Sequence, residues 1–267
     1  SSANSINWGR LVPQIVYYFA AYAQLLKAGQ IALGDAVDFC VPTGNFGDIL
    51  AGYYAKQMGL PVGKLVCASN ENNVLTDFLT TGTYTARRAF YKTTSPSMDI
   101  LVSSNLERLL YHVTGSDTEV ASLMKQLNET GSYTVRPETL AAIQESFACG
   151  WSSEAQVAGE IRARYEQDHY LCDTHTAVAF HVASQHKRDG VPMVVLSTAS
   201  PFKFPRSVLE ALGHAAPAND FEAMQQLEEA TGCTAPASLS ALRQKAERFH
   251  TVIDPEQIAQ VALRYQA

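Results

Sequence analysis

Short apolar runs alternate with helix-like stretches along most of this chain, and that alternation predicts its fold class. Residues 12–27 are apolar at mixed spacing and rich in aromatics, which predicts a largely buried helix ending near Gly29. Residues 37–41 form a short strand-type run. Residues 49–58 have helical composition and stop at Gly59-Leu60-Pro61. Residues 64–68 are a second strand-type run, so strand, glycine turn, helix and strand make a βαβ unit. Residues 74–79 predict one or two helical turns closed by Gly82, and the Thr-, Ser- and Pro-rich tract 91–99 predicts a loop.

The remainder reads mainly as helix, at 106–113, 117–129, 137–148 with Pro137 at its start, 153–167 and 173–187. Residues 191–196 predict a buried strand, 197–201 a loop at its end and 205–212 a short helix. Helices near 220–230, 236–249 and 255–266 complete the chain. The pattern is that of an α/β fold with a mostly parallel sheet and helices on both faces. In such sheets ligands bind at the carboxyl ends of the strands.

Composition narrows the function classes. A length of 267 residues suits one large domain or two small ones, and 46% apolar residues can fill a sizeable core. A formal net charge of −6 argues against a nucleic-acid partner and gives no reason to expect an anionic membrane surface. The five cysteines, at 40, 67, 149, 172 and 233, form no CxxC pair, and their odd number suits a reducing compartment, so a cytoplasmic setting is expected. The apolar stretch 15–26 is too short to span a membrane and is broken by Gln24. Residues 1–10 lack the basic and apolar regions of a signal peptide, and the chain opens without Met inside a polar motif. The expectation is a piece of a longer protein. No metal site is expected.

Gly44-Asn45-Phe46-Gly47 lies after a predicted strand and before a predicted helix. Glycines let a backbone turn sharply and bring its N–H groups close to a ligand. The helix start adds unpaired donors and a positive partial charge, a natural phosphate cradle. The alternative is an ordinary βα turn, since the run is neither GxGxxG nor a Walker loop with its lysine. Asp48 would repel a phosphate, and on the first helical turn it is expected to point outward, where it favours the helix dipole.

Five motifs occur in order: Asn4-Ser5-Ile6-Asn7-Trp8-Gly9-Arg10, Pro42-Thr43-Gly44-Asn45-Phe46-Gly47-Asp48, Ser95-Pro96-Ser97-Met98-Asp99-Ile100, Asp173-Thr174-His175-Thr176-Ala177, and Ser197-Thr198-Ala199-Ser200-Pro201-Phe202-Lys203-Phe204. Together they resemble the threonine synthases of many bacteria and of fungi, which are fold type II pyridoxal 5'-phosphate (PLP) enzymes like the tryptophan synthase β subunit. The resemblance is densest over 1–110 and 170–206 and faint over 115–165 and 215–267. It implies that residues 1–267 are the C-terminal portion of a PLP-dependent catalytic domain, with 1–110 and 170–210 as its core and 115–165 and 215–267 helical. The family reaction converts O-phospho-L-homoserine and water to L-threonine and phosphate by γ-elimination and hydration at the β carbon.

The same resemblance assigns roles. Gly44, Asn45, Phe46 and Gly47 match the loop that holds the cofactor phosphate. Thr198 matches the position that hydrogen-bonds the pyridine nitrogen, where a hydroxyl can donate to an unprotonated ring. The alternative for Thr198 is a cap on the helix after Pro205. Asn4, Ser5 and Arg10 match the residues that bind the substrate phosphate, the guanidinium fork pairing with phosphate oxygens. The alternative is a helix start capped by Asn4 or Ser5, with Arg10 in a surface ion pair. Asp173 and His175 are expected to act behind the site at most. Lys203 recurs in the family loop, Ser200 stands where many relatives carry His, and Trp8 and Phe46 are expected to pack.

PLP enzymes need a lysine for the Schiff base. The eight lysines, at 27, 56, 64, 92, 125, 187, 203 and 245, all lie outside the family's lysine context, which precedes the Asn-Ser-Ile-Asn segment. The chain alone is therefore expected to be inactive, with a truncated fold whose core faces are exposed or covered in a homo-oligomer. Two alternatives stand beside threonine synthase: a threonine-synthase-like phospholyase that eliminates phosphate and deaminates the product, and a non-catalytic module that kept only the phosphate cradle.

Overall fold

The computed structural model describes residues 4–246 and 250–264. The chain divides into two compact units, Ser1–Cys233 and Thr234–Ala267. The first opens with α1 (Trp8–Leu11), a 3-10 turn (Val12–Gln14) and α2 (Ile15–Lys27). It continues through β1 (Val37–Pro42), α3 (Gly47–Gln57), β2 (Val62–Ser69), α4 (Val74–Thr81) and β3 (Thr83–Thr85). After these come α5 (Leu106–Thr114), α6 (Asp117–Thr130), β4 (Ser132–Thr134), α7 (Pro137–Ser146) and β5 (Phe147–Trp151). The unit ends with α8 (Glu154–Asp168), α9 (Thr174–Gln185), β6 (Met193–Val195), α10 (Pro205–Ala211) and α11 (Asp220–Thr231). The second unit carries α12 (Ala237–Ser240), two 3-10 turns (Ala241–Gln244 and Pro255–Gln257) and α13 (Ile258–Arg264). The predicted helix over 236–249 is therefore only four residues of α-helix and one 3-10 turn, and residues 247–249 and 265–267 of the predicted helices lie outside the described residues.

The main sheet is parallel throughout, in the order β5-β2-β1-β6. From β1 the chain steps through α3 to β2, and through α4 to α7 on to β5. It then returns through α8 and α9 to β6 on the far side of β1. Right-handed crossovers put steps in opposite directions on opposite faces, so α3, α4 and α7 cover one face and α9 the other. Each of these helices contacts the strands it covers. The α/β class with helices on both faces agrees with the expectation. The reversal between β1 and β6 is a topological switch point, where the loops after the two strands diverge and leave a crevice.

Four strands and one helix differ from the sequence reading. Residues 147–151, taken in part as the end of a helix, form β5, in register with β2 from Leu65↔Phe147 to Ser69↔Trp151. β3 and β4 make a separate antiparallel pair. The strand expected to be buried, β6, is half-buried, because it lies at the edge of the sheet. The first long helix also departs from its expected burial: only Tyr18 and Tyr22 of α2 are buried, while Val16 and Tyr17 are 62% and 55% exposed.

The core lies between the sheet and the α3–α4–α7 layer, around Phe39, Ile49, Leu50, Leu65, Phe78 and Phe147. Tyr18 ties α2 to α3. Its ring is fully buried and meets Phe39 edge-on at 5.0 Å. Its hydroxyl donates to the Asp48 carbonyl at 2.8 Å and to Asp48 Oδ1 at 3.2 Å. Asp48 therefore turns inward, against the expectation that it points to solvent. Burial pushes its carboxyl up to about 6, and the Tyr18 hydrogen bond opposes only part of that rise. At the opposite end of β1, the buried Asp38 carboxylate accepts from Arg188 Nε and Nη2 at 2.7 and 2.6 Å and from Lys64 N at 2.6 Å.

Two predictions follow from the α2–α3 contact. A Cβ at Gly52 would come within 2.6 Å of Tyr18 Cε1 and 2.7 Å of Leu65 Cδ2. Helix propensity favours Ala over Gly by about 1 kcal/mol, whereas overpacking a dense core costs about 1–3 kcal/mol. Gly52→Ala should therefore lower the free energy of urea unfolding, although the change improves the helix. Asp48 gives the second. Between its ordinary value near 3.8 and about 6, the folded chain holds a proton that the unfolded chain has released. Its contribution to stability therefore rises as pH falls through that window and is flat on either side. Asp48→Asn should remove this component, seen as a difference between the two proteins' urea midpoints that shrinks from pH 7 to pH 4.

Candidate cofactor and phosphate site

The crevice at the switch point is a cavity of about 990 Å³. Its floor is the carboxyl end of β1 with the Gly44–Gly47 turn, and one wall is the loop after β6 with Thr198. Ser5 and Arg10, from the opening segment, line it as well. Seven of the eight residues singled out from the sequence thus share one cavity. The eighth, Asn4, is exposed and does not line it. Its carbonyl accepts from Asn7 N at 3.2 Å.

The turn owes its shape to two residues. Gly44 is pressed against the segment 97–98: a Cβ there would lie 3.1 Å from Met98 Cα and 3.1 Å from Ser97 O. Backbone cannot swing aside as a side chain can, so glycine favours this close approach. The left-handed conformation falls instead on Phe46, with φ 62° and ψ 7°, immediately before α3. Its ring is 1% exposed and packs, tilted, against Phe147 at 5.6 Å, as the packing expectation held. Among the described residues no side chain caps α3, which leaves its first N–H groups at the cavity floor without a side-chain cap.

Ser103, Ser104 and Asn105, which carry no sequence signal, fasten this floor. Ser103 Oγ donates to the Gly44 carbonyl at 2.9 Å. Asn105, fully buried, donates through Nδ2 to the carbonyls of Asn45 and Ser5 at 2.9 and 3.0 Å. Ser104 Oγ donates to Asn45 Oδ1 and lies 3.2 Å from Ser5 Oγ. One loop therefore holds the glycine turn and the opening segment together. Asn7, rather than Asn4 or Ser5, caps α1 by accepting from Gly9 N at 2.9 Å. Arg10 on α1 lines the cavity. Trp8, expected to pack, is 49% exposed, with its ring edge-on to Tyr54 at 5.5 Å and Arg108 above it.

Thr198 is exposed in the cavity wall and caps neither following helix. Ser200 Oγ caps the turn Pro201–Lys203 by accepting from Phe202 N, and the residue before α10 is Phe204. Lys203 also lines the cavity, its ammonium 5.6 Å from the Phe204 ring centroid. Asp173 is the N-cap of α9, and the buried His175 ring lies between Asp173 and Ser97.

The loops bordering the cavity can be compared with known proteins. Residues 176–262 match the family model described as threonine synthase, C-terminal. The chain is 45% identical over 214 residues to human Threonine synthase-like 1, a match covering 79% of this chain and 29% of that protein. It is 41% identical over 236 residues to threonine synthase of Schizosaccharomyces pombe, covering 79% of this chain and 45% of that enzyme. The crystal structure of PLP-bound threonine synthase from Brucella melitensis superposes with a TM-score of 0.85 at 41% identity, covering 99% of this chain and 52% of that one. This chain spans less than a third of the Threonine synthase-like 1 protein and about half of the two threonine synthases. By sequence and fold the chain is similar to part of the threonine synthases and of Threonine synthase-like 1, and its residues 176–262 carry the C-terminal domain described for that family.

Proposed function

We propose that this chain forms the phosphate-holding and ring-facing part of a PLP-dependent threonine synthase, a carbon–oxygen lyase acting on O-phospho-L-homoserine. The observation that carries the reading is the convergence of the Gly44–Gly47 turn, Thr198, Ser5 and Arg10 on one cavity. The cavity fits a phosphorylated cofactor. Gly44 clears the turn of side-chain bulk, Phe46 sets it in a left-handed corner, and α3 presents uncapped N–H groups. In the whole protein, residues 1–267 would be the C-terminal portion of the catalytic domain. Among the described residues no helix is long and apolar enough to cross a membrane, and a cytoplasmic enzyme accords with that.

When bound, PLP supplies an electron sink for charge developing on the substrate's carbon atoms. The rest falls to the protein. The amides of Gly44 to Gly47 would hold the cofactor phosphate, and the helix dipole favours its charge. The Thr198 hydroxyl would donate to the ring nitrogen. A neutral donor leaves the ring less electron-withdrawing than a carboxylate partner would, because a carboxylate holds the nitrogen protonated. Arg10 and Ser5 would grip the substrate phosphate and offset the charge that grows on it as it departs. The inward Asp48, held by Tyr18, is a carboxyl that gives up part of its charge readily, which lessens its repulsion of a nearby phosphate. None of the eight lysines stands in the family's Schiff-base context, so the covalent anchor would come from outside this segment.

The same phosphate-gripping arrangement would serve a second reading, a threonine-synthase-like phospholyase that releases phosphate and deaminates the product. Product analysis separates the two: with O-phospho-L-homoserine, the full-length protein should release phosphate and L-threonine in equal amounts. A keto acid with ammonia in place of threonine would favour the second reading, and no phosphate release would overturn both. Arg10→Ala should lower kcat/KM about 100-fold, since a charge-assisted contact contributes up to about 3 kcal/mol. The present chain mixed with PLP and treated with borohydride should retain no pyridoxyl label, and labelling of Lys203 would contradict this.

A further inference from the structure

Asp173 lies behind both working walls of the cavity without lining it. Its carboxylate is fully buried, and Oδ1 accepts from the backbone N–H groups of His175 and Thr176 at 2.8 and 3.3 Å, the N-cap of α9. A cap needs no more than this, yet two further side chains converge on the same carboxylate. His175 Nδ1 lies 3.1 Å from Oδ1, and the Thr176 hydroxyl donates to Oδ2.

Each of these side chains reaches a different wall. Ser97 N donates to His175 Nε2 at 3.2 Å. A backbone N–H can only donate, so Nε2 is the acceptor and the ring hydrogen sits on Nδ1, facing Asp173. Asp173 thereby fixes the tautomer that His175 needs to hold Ser97, and Ser97 O packs against Gly44. On the other side, a hydroxyl–hydroxyl hydrogen bond of 3.4 Å joins Thr176 to Ser197, the neighbour of Thr198. Ser197 Oγ also accepts from Tyr170 at 3.2 Å.

We infer that Asp173 is a positioning residue that sets both halves of the site, acting through His175 on the phosphate turn and through Thr176 on the loop that faces the cofactor ring. The inference rests on the cofactor reading given above for its functional consequence, but its structural half stands apart from that reading. The two branches are separable in sequence, because adjacent residues carry them. A merely structural cap would show no such division.

The experiment uses the full-length protein with Asp173→Asn, His175→Leu and Thr176→Val. Asn keeps a carbonyl oxygen for the cap but cannot accept from both partners. Val matches Thr in shape without its hydroxyl. Hydrogen exchange in the cofactor-free protein should quicken over residues 95–98 in His175→Leu, over 196–200 in Thr176→Val, and over both in Asp173→Asn. With PLP bound, His175→Leu should shift the phosphorus-31 resonance of its phosphate and leave the visible absorption maximum in place. Thr176→Val should do the reverse, and Asp173→Asn should change both and weaken PLP binding about tenfold, the loss of one positioning hydrogen bond. Should Asp173→Asn fail to fold, the opposed signatures of the other two variants still decide. Identical changes in both loops from either single variant, or no change in any variant, would overturn the inference. The expected exchange pattern in the variants, together with wild-type protein that binds no PLP, would instead overturn the cofactor reading and leave the positioning intact.

Discussion

The site is built on the contact of one backbone with another. Gly44 meets Ser97 and Met98 with no side chain between them, at a spacing where a Cβ would be tightly crowded. A side-chain contact can relax by a rotamer change, but two backbones can separate only if one whole segment moves. The position of segment 95–98 therefore dictates where the Gly44–Gly47 turn can lie, and much of the surrounding polar structure holds that segment. Asn70 Nδ2 donates to Asp99 Oδ1 at 2.8 Å and to Ser95 Oγ at 3.0 Å. Asn72 Nδ2 donates to Asp99 Oδ1 at 2.9 Å, and Thr93 N donates to Asp99 Oδ2 at 2.9 Å.

This is an unusual amount of buried polarity for one loop, and it has a physical rationale. An unsatisfied polar group in a low-dielectric interior is costly, while a fully bonded network specifies a single geometry. An apolar loop of the same length could bury more surface but would define its backbone less tightly. The protein keeps its apolar packing for the α3–α4–α7 side of the sheet, where Phe39, Leu65 and Phe78 are fully buried, and its directional bonds for the carboxyl ends of the strands. The Asp38–Arg188 pair does similar work at the amino end of β1, away from the cavity.

The βαβ unit was legible because its signals are local: a short apolar run, a glycine turn and a helix with a clear stop. β5 was not, since Phe147-Ala148-Cys149-Gly150-Trp151 follows a helix without an intervening loop and has no clean alternation, so its strand character comes from pairing with β2. Ser5, Arg10, Gly44–Gly47 and Thr198 were found through family motifs, and the cavity brings them together. Asn105 carries no local sequence signal because its partners, Ser5 and Asn45, lie 100 and 60 positions away. No periodicity encodes such a bond. The exposed aromatic face of α2 was misjudged for a related reason: apolar composition reports a tendency to be covered, but the covering surface has to come from elsewhere.

Phe46 fixes the Gly44–Gly47 turn before anything binds. A left-handed non-glycine residue costs about 1–3 kcal/mol of backbone strain, and here the anchored ring keeps the chain from escaping it. Glycine at this position would remove the strain and also the anchor, leaving a floppy corner. Under the proposed function the donors would already be aimed, so an incoming anion would not have to freeze a wandering loop and little of its attraction would be spent on ordering the host.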